Sequence, residues 1–296
     1  MQLLKYSKYF FVLSAVILIF GVLCLAIFGL RLGIDFKGGT VTELKFTQEV
    51  QSSSIQAVLN EQGLNNAQVQ STDNQGYIIR TETLEKDRYD EIAAAITEQV
   101  GEFEEVRFES IGPVIGQQLT RQAFYQLILV SLGIVFYIAY AFRRVSRPVS
   151  AWQFGLTAIV ALVHDLLVVL GVFAILGKFG GVEVDSMFVT AMLTVLGFSV
   201  HDTIIVFDRI RENLKVYAGQ SIEFIVNHSL SQTLVRSLNT SLTVLFVLAA
   251  LLLFGGETIK YFVLALFIGI IAGTYSSIFI ASPLLVRWQN WRVGRR

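Results

Sequence analysis

Six stretches of the chain are apolar for long enough to cross a lipid bilayer, which takes about 20 helical residues each. They run over residues 9–30, 121–142, 150–176, 186–208, 236–256 and 259–286. Between the first two lie about 80 residues with a different rhythm. Thr40–Phe46, Ala67–Ser71, Tyr77–Glu82 and Val106–Ile111 read as strands, and the turn Asp73-Asn74-Gln75-Gly76 joins the second and third. Ser52–Gly63 and Leu84–Val100 carry apolar residues at helical spacing. The order β-α-β-β-α-β is the split βαβ arrangement of ferredoxin-like domains. The expected architecture is an α-helical polytopic membrane protein with six transmembrane helices and one small external α+β domain. Its parts are a first helix over 1–30, the external domain over 31–120, and a five-helix membrane domain over 121–296. A cytoplasmic surface connector is expected at about 209–235.

Composition agrees. Of the 296 residues 54% are hydrophobic, and the mean hydropathy of +0.61 is that of a membrane protein. Net charge is zero, yet Thr40–Ser110 holds 14 acidic and 5 basic residues. The basic residues gather at one set of loop ends: Lys5, Lys8, Arg143, Arg144, Arg147, Arg209, Arg211, Lys215, Arg287, Arg292, Arg295 and Arg296. That side is expected to be cytoplasmic, with both termini inside and the acidic domain outside. Nothing in the charge pattern points to nucleic acid. The single cysteine, Cys24, sits in the first apolar run and excludes an internal disulfide.

Ionisable residues inside apolar helices are costly, so each is a candidate for work. Asp202 follows His201 in the fourth span, about 10 Å below the exit at Arg209 by rise per residue. His164 and Asp165 lie deep in the third span. Ser229, Gln232, Thr233, Arg236, Asn239, Thr240 and Thr243 recur at spacings of three and four, so the fifth span is expected to turn one polar ridge toward spans three and four. Asp202 with Arg236 forms either a proton-sensitive pair or a static ion pair, or else Arg236 is merely interfacial; Asp165 and His201 are candidate proton relays or packing elements. Gly269, Gly273, Ser277 and Ala281 give the sixth span a small-xxx-small packing face. Two glycine motifs bracket the external domain: Gly33, Asp35, Gly38 and Gly39 before it, Gly112, Pro113 and Gly116 after it. They read as tight turns. No phosphate loop, nucleophile elbow or paired catalytic acids occur, so transport energy must come from an ion gradient or a partner rather than from an enzymatic reaction in this chain. No cofactor or metal is expected beyond the proton as coupling ion.

Gly33–Gly39, Gly112–Gly116, His164-Asp165-Leu166, Gly197–Asn213 and Ser229–Asn239 together resemble the SecD/SecF family of protein-export subunits, on the SecF side. The resemblance covers essentially the whole chain. It implies a multi-pass protein of the bacterial inner membrane, related to the resistance-nodulation-division exporters. The implied partners are SecD, the SecYEG channel, YajC and YidC, with SecA acting earlier on the unfolded preprotein. It implies use of the proton motive force, with Asp202 and Arg236 matching the family's intramembrane aspartate and arginine. A half-exporter for small molecules or lipids, and a non-conducting structural subunit, are the competing readings.

Overall fold

The computed structural model of the chain describes residues 3–72, 75–143 and 149–293. Asp73 and Asn74 of the expected hairpin turn, Arg144, Arg147 and Pro148 of the basic turn, and Arg295 and Arg296 lie outside the described residues. The chain divides into two units, Met1–Arg31 with Tyr125–Arg296, and Leu32–Phe124.

The smaller unit holds the short turn α2 (Ile34–Lys37), β1 (Gly39–Phe46), α3 (Ser52–Glu61), β2 (Gln68–Ser71), β3 (Gly76–Thr81), α4 (Lys86–Gln99) and β4 (Phe103–Ile111). The sheet order is β2-β3-β1-β4, and each neighbouring pair is antiparallel. Alternation along β1 sends Thr42, Leu44 and Phe46 inward, where they meet Ile55 and Leu59 of α3 and Ile92 and Ile96 of α4. The Tyr77 hydroxyl donates to the carbonyl of Val50, closing the core at one end.

Tyr89 is buried in α4 against Phe108, with its ring beneath the Lys86 ammonium at 4.6 Å. Burial, and after it the nearby carboxylates of Glu105 and Asp90, hold this phenol above its ordinary value of 10.0. The unfolded chain ionises Tyr89 near that ordinary value, while the folded chain keeps it neutral. The stabilisation is therefore complete below about pH 10 and falls as pH rises beyond it. Thermal unfolding of the chain in detergent, compared between about pH 9 and 11, should show a smaller alkaline loss for Tyr89→Phe than for the wild type.

Both glycine motifs belong to one joint. Gly38 has φ +78°, and a Cβ there would stand 2.9 Å from the Cα of Pro113. A Cβ on Gly116 would stand 2.9 Å from the Gly38 nitrogen. The chain entering the domain thus lies directly against the chain leaving it, at a separation that only glycine allows.

In the larger unit a 3₁₀ turn (Leu3–Tyr6) leads into α1 (Ser7–Phe28). Then follow α5 (Pro113–Ala141), α6 (Ala151–Gly180), α7 (Ser186–Val216), α8 (Ile222–Phe254) and α9 (Glu257–Ser276). A π-helical turn (Ser277–Ala281) joins α9 to α10 (Ser282–Val293). Among the described residues six helices are long and apolar enough to cross a membrane. α1 is apolar all round and buries only Ser14, Gly21 and Cys24, which lie on one face. α7 opens with Asp185 accepting from the Phe188 N–H at 2.8 Å, a cap that fixes where the helix begins.

The expected surface connector at 209–235 is corrected. α7 runs on to Val216 and α8 begins at Ile222, so only residues 217–221 link them. Ile210 and Leu214 of α7 and Ile222, Ile225, Val226 and Leu230 of α8 are buried in one core cluster. The apolar stripe that could have rested on a membrane surface instead meets its counterpart on the neighbouring helix. Asn213 donates to Ser229 Oγ (2.8 Å) and Gln232 Oε1 (2.9 Å), and Arg209 Nε donates to the same Gln232 oxygen at 2.6 Å, closing the hairpin. The ion pairs Arg211–Asp208 (2.5 Å) and Arg209–Glu212 (2.7 Å) are half-exposed and worth only about 0.3–0.5 kcal/mol each.

Candidate functional site: two buried carboxyls on α6 and α7

Asp202 is 6% exposed and points from α7 toward α8 and α9. Its Oδ2 accepts from Ser241 Oγ of α8 at 3.1 Å and from Thr274 Oγ1 of α9 at 3.2 Å. Thr274 also lies 2.7 Å from Ser241 Oγ and 2.9 Å from the Ile270 carbonyl. A threonine hydroxyl has one proton, so it serves one of these acceptors at a time. Oδ1 takes no hydrogen bond from the described residues. A narrow cleft of about 10 Å³ reaches the carboxyl, lined by Phe198, His201, Thr240, Ser241 and Thr274. That is room for roughly one water.

Asp165 of α6 is 1% exposed and fully partnered. Its Oδ1 meets His164 Nδ1 at 3.0 Å, and its Oδ2 accepts from Ser199 of α7 at 2.6 Å and Ser276 of α9 at 2.8 Å. His164 Nε2 is buried with no hydrogen-bond partner among the described residues. Its ring stacks on Tyr275, whose hydroxyl donates to the Phe10 carbonyl of α1 at 3.0 Å.

The candidates read from the sequence therefore separate. Asp202 and His201 line the cleft; Asp165 and His164 do not. Arg236 does not approach Asp202 in this structure. It is exposed and stands five positions before Ser241, which puts the two about 140° apart around α8. Among the described residues no carboxylate lies within 4.0 Å of its guanidinium. The expected polar ridge on α8 is likewise corrected. Ser229, Thr233, Ser237 and Ser241 form the buried stripe. Gln232, Arg236, Asn239, Thr240 and Thr243 form a second, exposed one. A polar face on an apolar spanning helix needs protein or water against it, so this face is built to be covered.

α9 was expected to supply packing alone. The close approach is present: a Cβ on Gly273 would stand 3.0 Å from Ser199 Cα, and one on Gly269 would collide with Val195. The same helix also supplies Thr274 to Asp202 and Ser276 to Asp165. These hydroxyls sit one and three residues beyond Gly273, a placement that marks them only once the neighbours of the glycine face are known.

Residues 91–291 match the family model for the C-terminal region of the protein export membrane protein SecD/SecF, and residues 25–50 match the SecD/SecF GG motif. A curated protein translocase subunit SecF from Thermobaculum terrenum is 49% identical over 98% of this chain and 94% of its own length. One from Synechocystis is 36% identical over 99% and 95%. The chain belongs to the SecD/SecF family. Within that family it is SecF-like, a subunit of protein export and a multi-pass membrane protein. The crystal structure of SecDF from Thermus thermophilus, a translocon-associated membrane protein, superposes with a TM-score of 0.84 at 32% identity. The match covers 98% of this chain and 39% of that one, so the chain spans about two fifths of the solved SecDF chain. The super-membrane-facing form of SecDF matches with a TM-score of 0.70.

Proposed function

We propose that the chain is the SecF half of a paired unit with SecD, and that Asp202 takes up and releases protons as preprotein export is completed. The observation that carries this reading is the position of Asp202: buried between three helices, its Oδ2 held by two hydroxyls, and lining a narrow cleft together with His201 and Thr240. As a carboxylate, Asp202 accepts from both Ser241 and Thr274. As an acid it carries its proton on the otherwise unbonded Oδ1, and Oδ2, now a neutral carbonyl, holds the two hydroxyls less strongly. The junction of α7 with α8 and α9 loosens, so that charge state and helix position change together. A membrane potential biases such a step by about 2.3 kcal/mol per charge per 100 mV.

SecD covers the exposed stripe Gln232–Thr243 and completes a path that this chain lacks alone. The unit sits in the bacterial inner membrane with both termini in the cytoplasm and the acidic domain outside. It works beside SecYEG, with YajC and YidC, on unfolded preprotein already moved by SecA. Arg236 serves the same cycle from the SecD side of α8, and His201 sits where a proton would reach Asp202.

A photoreactive side chain at Thr243 should crosslink to SecD in membranes holding both subunits, and one at Leu129, an exposed position on α5, should label lipid instead. Labelling of lipid from Thr243 would remove the proposed partner from that face.

A further inference from the structure

We infer that Asp165 is a positioning residue: it pins α9 against α7 and so holds Thr274 on Asp202. The inference rests on reading Asp202 as the proton-carrying group. A group that exchanges protons needs a route for them, and Asp165 has its surroundings filled. His164, Ser199 and Ser276 occupy its oxygens, the residue is 1% exposed, and the cleft at Asp202 stops at Ser199 without reaching it.

Its partners come from two helices that both also reach Asp202. Ser199 is three residues before Asp202 on α7, and Ser276 is two residues after Thr274 on α9. One oxygen, Oδ2, bonds both serines, so it fixes the rotation and height of α9 relative to α7. The glycine at 273 brings the helices close enough for this, its own position being 3.0 Å from Ser199 when a Cβ is placed there.

Just beyond the pin the winding of the helix changes. The turn Ser277–Ala281 is π-helical, and hydroxyls serve carbonyls along this segment: Ser277 Oγ to Gly273 O (2.9 Å), Ser276 Oγ to Gly273 O (3.2 Å) and Ser282 Oγ to Ser277 O (3.0 Å). A helix whose carbonyls have hydroxyl donors at hand changes its winding without stranding a polar group. A second tie of α9 to α7, Ser277 Oγ with Thr203 Oγ1 at 2.8 Å, lies one residue further on, so the bond to Asp165 is the one nearer Thr274.

The test uses the complete SecD-containing complex in sealed vesicles, with Cys24→Ser as background. Ser241→Cys and Thr274→Cys place two thiols where hydroxyls lie 2.7 Å apart, and their rate of disulfide formation reports the α8–α9 apposition. Asp165→Asn keeps an acceptor for both serines. It should leave that rate unchanged and, with Ser241 and Thr274 intact, leave the export response to the proton gradient and its pH midpoint at the wild-type values. Asp165→Ala, and separately Ser199→Ala with Ser276→Ala, should slow the disulfide about fivefold or more, the size of a coupling of about 1 kcal/mol, and should move the pH midpoint of export. The double serine variant stands in if Asp165→Ala fails to assemble. Loss of the gradient response in Asp165→Asn would overturn the inference, because Asp165 would then be carrying charge. Wild-type disulfide rates in the serine variants would overturn it from the other side. Asp202→Asn, run in parallel, decides the Asp202 reading independently, since the disulfide readout does not depend on it.

Discussion

Asp202→Asn is expected to abolish the part of export that responds to the proton gradient while the subunit still assembles with SecD. Asparagine has nearly the same shape as aspartate, and its oxygen still accepts from Ser241 and Thr274. The helix junction therefore survives. What disappears is the ability to alternate between charge states. At 100 mV, a single charge moved across the membrane is worth about 2.3 kcal/mol, roughly a fiftyfold bias between states. Without a titrating group at Asp202 that bias has nothing to act on, and export of a secreted reporter in sealed vesicles should fall to its gradient-free rate. Undiminished gradient dependence, with normal assembly, would favour the scaffold reading.

The largest expected loss of stability is at the crossing of α1 with α6. A Cβ on Gly171 would lie 2.6 Å from the Cα of Gly21 and 3.2 Å from its carbonyl carbon. Only backbone stands there, so no side chain can swing aside and α1 has to move away. In the other direction a Cβ on Gly21 stands 3.5 Å from Gly171 Cα, an ordinary contact. Gly171→Ala should therefore cost about 2–3 kcal/mol, the upper part of the overpacking range, while Gly21→Ala should be nearly neutral. Displacement of α1 would also disturb Phe10, which packs on Phe279 at 4.2 Å and accepts from Tyr275. Thermal unfolding of the purified chain in detergent checks the asymmetry. Equal effects of the two substitutions would show that the helices cross elsewhere.

The six apolar runs and the β-α-β-β-α-β order were legible because each rests on a local pattern: length of apolar helix, or alternation with period two. Asp202 was legible because an acid within an apolar run is conspicuous wherever the run packs. Its partners were not. Ser241 and Thr274 are unremarkable hydroxyls on other helices, and only the packing singles them out. The polar positions of α8 show why a face is harder to read than a span. Residues four apart drift by about 40° per step, so the buried stripe Ser229–Thr233–Ser237–Ser241 winds around the helix. The wider ridge centred on Arg236 and Asn239 faces outward. Spacing alone gives both stripes; it does not say which one has a neighbour. The connector at 209–235 was misread for a related reason. An amphipathic stripe fits a membrane surface or another helix equally well, and the polar contacts of Asn213 decide for the helix.

The most direct measurement is an isotope-edited infrared titration of the Asp202 carboxyl in the assembled SecD-containing complex, with Asp202→Asn for assignment. A protonated-carboxyl band that comes and goes with pH on the side facing the cleft, and shifts when a gradient is applied, is the predicted result. A carboxyl that keeps one protonation state across the whole working range, in a complex that still exports with gradient dependence, would contradict it.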